Sequence, residues 1–120
     1  MSNKVYLEAD GYIHWDFIGD QDYETVKQSE VEISKITKEL HKAHKPAYVL
    51  GDFAKIGKQD FDARRAGVEF MNSSPFDKTA GFGSLLYIKY VGNLVIKAAN
   101  KTDKLRIFNT RDEAVRWLNS

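Results

Sequence analysis

Lys78-Thr79-Ala80-Gly81-Phe82 is a short run of small and apolar residues, and Gly83-Ser84 separates it from the apolar stretch Leu85 to Ala99. A run of about five such residues suits a strand buried on both faces. Ser84 supplies an N-cap for a helix over 85–99. A buried strand feeding a helix predicts a βα unit, and therefore a parallel sheet covered by helices.

Upstream the same pattern repeats. Ala47-Tyr48-Val49-Leu50-Gly51 reads as a second buried strand, followed by a loop over 52–59 and a helix over 61–72 with Asp60 as N-cap. Ala63, Ala66, Gly67 and Phe70 share one side of that helix and allow a close approach to the sheet, and Ser73-Ser74-Pro75 ends it. A long helix is expected over 21–44. Val26, Ile33, Ile36 and Leu40, with Ser29 and Thr37, fall on one face, charge covers most of the rest, and Pro46 stops it.

The N-terminus reads as a hairpin, residues 4–8 and 12–17 around Asp10-Gly11. Two registers differ in what they bury. A two-residue loop mixes polar and apolar side chains on both faces. A three-residue loop, Ala9-Asp10-Gly11 with Gly11 left-handed, pairs Glu8 with Tyr12 and puts Val5, Leu7, Ile13, Trp15 and Phe17 on one face. The second register is preferred.

Downstream, Leu105 to Phe108 is a last strand, and Thr110-Arg111-Asp112-Glu113 is a capping box opening a helix that buries Ala114, Val115, Trp117 and Leu118. The order is β-β-α-β-α-β-α-β-α. It predicts one α/β domain over residues 1–120, with a mixed, mostly parallel sheet and helices on its faces.

The 120 residues suit one domain, and 42% hydrophobic with 29% charged residues describes a folding chain. With no cysteine, a disulfide framework, a thiolate zinc site and a cysteine nucleophile are excluded. A net charge of +1 argues against nucleic acid as a partner. Met1 to Asp10 has no apolar targeting core, and Leu85 to Ile96 is interrupted by Lys89 and Asn93, so neither a signal peptide nor a membrane span is expected. The expected location is cytoplasmic.

The element order, together with Ile96-Lys97-Ala98-Ala99-Asn100-Lys101, Leu105-Arg106-Ile107-Phe108, Arg111-Asp112-Glu113-Ala114 and Trp117-Leu118, resembles the SpoIIAA-like branch of the STAS superfamily, the fold of anti-sigma-factor antagonists. The resemblance implies a non-catalytic interaction or regulatory module. In those antagonists a Ser or Thr phosphoacceptor begins the helix that follows the strand matching 47–51. Here Asp52 to Asp60 holds no Ser, Thr or Tyr, so no phosphosite is carried over. The branch is also similar to the CRAL-TRIO lipid-binding fold, which implies an apolar ligand.

The helix over 85–99 is the most unusual feature. At about 100° per residue its apolar arc spans roughly 240°, far wider than one buried face requires. Lys89, Asn93 and Lys97 form its narrow polar line. Such an excess points to a partner or ligand surface, with Tyr87, Tyr90, Val91 and Leu94 as its residues. A self-complementary patch gives a C2 homodimer most simply. Burying ~400 Å² of it would be worth on the order of 10 kcal/mol gross.

A second candidate is the rim beyond the strand ends, Asp52, Lys55, Gly81, Gly83 and Ser84, where backbone N–H groups could meet a ligand or anion. His41 and His44 match no metal-binding pattern, and Lys97, Lys101, Lys104 and Arg106 read as a solvated basic cluster. No nucleotide loop, catalytic triad, metal set or cofactor site can be assembled. The leading expectation is a non-catalytic interaction module, homodimeric through the apolar helix. The alternative is binding or carrying of a small apolar ligand or lipid.

Overall fold

A computed structural model describes residues 2–83 and 86–120, with Leu86 and Tyr87 given by their backbone alone. The elements are β1 (Lys4–Leu7), β2 (Ile13–Gln21), α1 (Tyr23–Lys42), β3 (Tyr48–Gln59), α2 (Phe61–Ser73), β4 (Lys78–Phe82), α3 (Leu86–Ala98), β5 (Leu105–Ile107) and α4 (Arg111–Leu118). One five-stranded sheet runs β1-β2-β3-β4-β5. β1 is antiparallel to β2, and the remaining pairs are parallel. The expected order and sheet type are therefore those observed.

The hairpin takes the register that segregates its apolar face. Val5 pairs with Trp15 and Leu7 with Ile13. The Glu8 N–H donates to the Tyr12 carbonyl at 3.3 Å, the Gly11 N–H donates to the Glu8 carbonyl at 3.0 Å, and Gly11 sits at φ +87°. Only glycine takes that conformation without strain.

Two core layers flank the sheet. On one face Ile13, Trp15 and Phe17 pack with Val26, Ile33 and Leu40 of α1 and Ala63, Ala66 and Phe70 of α2. Rings stack there, Trp15 on Phe17, Phe17 on Phe53, and Phe70 on Phe76, and Phe70 meets Trp15 edge-on. On the other face α4 buries Ala114 and Leu118 against Leu50 and Ala80, with Val115 and Trp117 only partly covered. The Asp60 carboxylate accepts the Ala63 N–H at 2.7 Å, and Thr110 Oγ1 accepts the Glu113 N–H at 3.2 Å. The caps expected at Asp60 and Thr110 are thus present.

Three boundaries differ from expectation. The loop expected over 52–59 is strand: β3 continues to Gln59, and β2 continues past Phe17 to Gln21. These extensions pair with each other, Ile18 with Lys55 and Gln21 with Gln59, across two irregularities in register. The pairing arises from the partner strand, and neither segment alternates cleanly. α1 ends before Pro46 acts on it. His44 turns left-handed at φ +59°, the Lys45 N–H returns to the Leu40 carbonyl at 2.9 Å, and the His44 N–H to the His41 carbonyl at 3.0 Å. This is a Schellman closure with histidine where glycine is usual.

A further finding concerns Asn93, placed by its spacing on a narrow polar line with Lys89 and Lys97. Its Nδ2 donates to the Ile107 carbonyl at 3.0 Å and its Oδ1 accepts the Ile107 N–H at 3.0 Å. β5 is the last strand of the sheet. The amide therefore satisfies one residue of an otherwise unpaired strand edge.

Candidate functional site

The site follows from how α2 and α3 are fastened. α2 is tied to α1. Tyr23 Oη donates to Glu69 Oε1 at 2.8 Å, Lys27 Nζ lies 2.9 Å from the same oxygen, and the Arg65 guanidinium lies over the Tyr23 ring at 4.7 Å. Lys27, and after it the Tyr23 hydroxyl, hold the Glu69 carboxyl below its ordinary range against a smaller burial effect. α3 is tied elsewhere. Its principal packing partner among the described elements is β5. A side chain at Gly92 would run into Ile107, so the helix sits close on that strand, and Asn93 locks it there.

With α2 drawn toward α1 and α3 held on β5, the two helices do not close on each other. Between them lies an apolar cavity of about 270 Å³. Its floor is the sheet at Trp15, Phe17, Gly51 and Gly81, one bank is Gly67, Val68 and Met71 of α2, and the other is Ile88, Val91, Val95 and Ile96 of α3. Leu105 and Ile107 of β5 close the far side. Gly67 was expected to permit a close approach. It does the opposite: a Cβ there would meet nothing within 4 Å.

Four polar side chains belong to the lining. Gln21, Gln59 and Arg64 stand where β2 and β3 end and α2 begins, and Thr79 lies on β4. Gln21 is buried and committed to the fold. Its Nε2 donates to Asn3 Oδ1 at 3.0 Å and to the Gly19 carbonyl at 3.0 Å, and its Oε1 accepts from Asn3 Nδ2 at 2.8 Å. Gln59 Nε2 donates to the Gly57 carbonyl at 2.8 Å. Among the described residues the lining carries no carboxylate or imidazole. The described lining can enclose apolar matter.

The residues expected on the apolar helix divide. Val91 lines the cavity at its rim and is 45% exposed. Tyr90 and Leu94 are absent from the lining and are 64% and 67% exposed, one helical turn apart on the outer side. The Tyr87 side chain lies outside the described residues, as does Ser84.

The expected rim is not gathered into one place. Gly81 pairs with Gly51 and Asp52 with Phe82, so Gly81 and Asp52 occupy opposite faces of the sheet. The Phe53 ring covers the place a side chain at Gly81 would take. Asp52 Oδ1 accepts the Ala54 N–H at 2.8 Å and lies beside Gly83, which has φ +79°. Lys55 is exposed, further along β3.

The histidines have local partners. His41 Nε2 lies 2.8 Å from Asp77 Oδ2 and His14 Nε2 lies 2.9 Å from Asp10 Oδ2. Among the described residues no group of three His, Asp or Glu side chains could hold a metal, and no helix is long and apolar enough to cross a membrane. In the basic cluster, the Arg106 guanidinium lies over the Trp117 ring at 5.4 Å and Lys104 over the Phe76 ring at 5.6 Å.

Sequence reasoning found the excess of apolar surface on α3, and its ligand alternative implied a cavity beneath that helix, but it missed the roles of Asn3 and Asn93. The signal available for the cavity was Gly67, a helical glycine with no turn to explain it.

Comparison with solved structures establishes the fold. The chain is similar to an uncharacterised protein of the DUF3478 family with a SpoIIAA-like fold from Shewanella loihica PV-4, at 14% identity and a TM-score of 0.63 over 98% of this chain and 92% of that one. It is also similar to the anti-sigma factor antagonist SpoIIAA in its unphosphorylated form, at 10% identity and a TM-score of 0.63 over 99% of both chains. The fold is SpoIIAA-like. No family model and no curated protein matches the chain.

Proposed function

We propose that the protein is a non-catalytic binding module that holds a small apolar ligand between α2 and α3. One observation carries this reading: the cavity under α3 is walled almost wholly by apolar side chains, several of them also exposed at its rim. An apolar recess with a few polar groups is the common form of a small-molecule site. Burying about ten methylenes of a ligand there would be worth on the order of 8 kcal/mol gross, before the costs of association. The SpoIIAA-like fold suits a regulatory or interaction role, to which ligand occupancy would be the input, and a cytoplasmic setting fits it.

A second reading is favoured by Tyr90 and Leu94, which face away from the cavity and need a different partner. It is a homodimer through the outer side of α3. Those two residues with Val91 and Val95 offer on the order of 400 Å² of apolar area per subunit, about half of what a standard interface buries on each side. A dimer would therefore also draw on Phe61 and Val68 of α2, which are exposed too.

Native mass spectrometry of the purified protein tests both readings. The ligand reading predicts a chain carrying a small, dissociable apolar adduct, and replacement of that adduct by added 1-decanol shows that the two share one site. The dimer reading predicts twice the chain mass at micromolar concentration. A bare single-chain mass, with no uptake of added 1-decanol, contradicts both.

A further inference from the structure

Two polar atoms of the cavity-lining side chains are left without a bond. Trp15 Nε1 and Thr79 Oγ1 are buried and have no hydrogen-bond partner among the described residues, and both side chains belong to the cavity lining. They stand on one face of the sheet. Trp15 pairs with Gly51 and Gly51 with Gly81, and Thr79 is two residues before Gly81 on β4, so its side chain points the same way. The fold gives neither group a use. A buried indole N–H ordinarily finds an acceptor, and a buried polar group left unmet destabilises the fold. The Trp15 ring is held where it is, stacked on Phe17 at 4.4 Å and edge-on to Phe70 at 5.0 Å. Thr79 is 7% exposed with Oγ1 closed off, and a turn about χ1 would bring its hydroxyl to a ligand.

We infer that the ligand is an uncharged carbonyl compound, its oxygen held at the cavity floor by the Trp15 indole N–H and the Thr79 hydroxyl and its hydrocarbon lying under α3. The inference rests on the ligand reading above and names the ligand's polar group. An indole N–H only donates, a hydroxyl also donates, and a carbonyl oxygen offers two lone pairs. An acceptor is therefore what the two groups can share. Neither carries a charge, and a carboxylate is far costlier to bury among apolar side chains than a neutral carbonyl. A pure hydrocarbon would leave both groups unmet.

NMR titration of the isotope-labelled protein with cyclohexanone, and with methylenecyclohexane as the same shape without the oxygen, tests this. Cyclohexanone should move the Trp15 indole proton downfield. The hydrocarbon should perturb the methyl groups of Ile88 and Val95 on the cavity wall without that movement. The indole of Trp117, on the other face of the sheet, should stay in place with both probes. Affinities are compared within each probe, because the hydrocarbon leaves water more readily whatever the site offers. Thr79→Val should weaken cyclohexanone by roughly three- to tenfold, the worth of one hydrogen bond, and methylenecyclohexane by less than about twofold. Thr79→Ser should restore most of the loss; circular dichroism verifies that each variant is folded. An indole response equal for the two probes, with Thr79→Val selective for neither, overturns the carbonyl and leaves the ligand reading standing. A cyclohexanone response that persists in Gly67→Leu puts the oxygen outside the cavity and also overturns the inference. Cavity methyls that respond to neither probe overturn the ligand reading itself.

Discussion

The side-chain amide of Asn93 clasps the backbone of Ile107 on both sides, donating to its carbonyl and accepting its N–H, each at 3.0 Å. It holds α3 to the edge strand and, with Gly92 seated on the Ile107 side chain, fixes how far the helix stands from α2. Asn93→Ala gains helix propensity but leaves both Ile107 groups without that partner. The expected net loss is about 1–2 kcal/mol in denaturant unfolding. Hydrogen exchange at the Ile107 amide should accelerate more than exchange at the β2–β3 ladder. Unchanged protection at Ile107 would contradict the clasp.

Gly67 lies within α2 and faces the cavity with free space where a side chain would be. A helical glycine with open space beside it should tolerate a side chain. Gly67→Ala should stabilise the protein by about 1 kcal/mol through helix propensity alone. Gly67→Leu should match or exceed that by burying apolar area in the cavity. A destabilised but folded Gly67→Leu would mean that α2 and α3 already meet there.

Glu69 ties α2 to α1, and its folded pKa is depressed, first by Lys27 and then by Tyr23. A carboxylate depressed on folding contributes stability above its unfolded pKa of about 4.3, and that contribution is lost as pH falls through the lower folded value. The protein should therefore melt higher than Glu69→Gln at neutral pH. The gap should close below about pH 4. Melting curves of the two proteins from pH 7 to pH 3 check the sign. A gap that widens with acid would refute it.

Tyr90 and Leu94 are exposed on one side of α3. Leu94→Lys should change the stability of the isolated chain by no more than about 0.5 kcal/mol. If the dimer reading holds, the same change should convert a dimer to a folded monomer in light scattering. A monomer before substitution removes that reading without touching the cavity.

How much was legible in the sequence depends on whether a residue's role is set locally. Asp60 and Thr110 cap the helices that begin beside them, and the hairpin register follows from which side chains it segregates, so these were readable. The strand extension from Asp52 to Gln59 was not, because its pairing comes from residues 18–21, some 37 positions upstream. Asp20 secures that stretch by accepting the Lys58 N–H at 2.8 Å, a contact no local pattern announces. Asn93 sits at the spacing of a narrow polar line with Lys89 and Lys97, and only the position of β5 shows that its amide is bonded to the strand edge. The wide apolar arc of α3 was visible, but periodicity reports how much surface is apolar and not whether a neighbour covers it. The anchoring of α2 to α1 through Glu69 decides that.

The separation of α3 from α2 is tested most directly by xenon, which enters dry apolar cavities and needs no knowledge of the natural ligand. Methyl NMR spectra recorded under xenon pressure should shift at Val68, Ile88, Val95, Ile96 and Leu105, which share the cavity wall, and not at Val31 on the outer surface of α1. Those shifts should disappear in Gly67→Leu. Spectra that stay unchanged under xenon in the protein freed of ligand would show the helices closed, and the binding site with them gone.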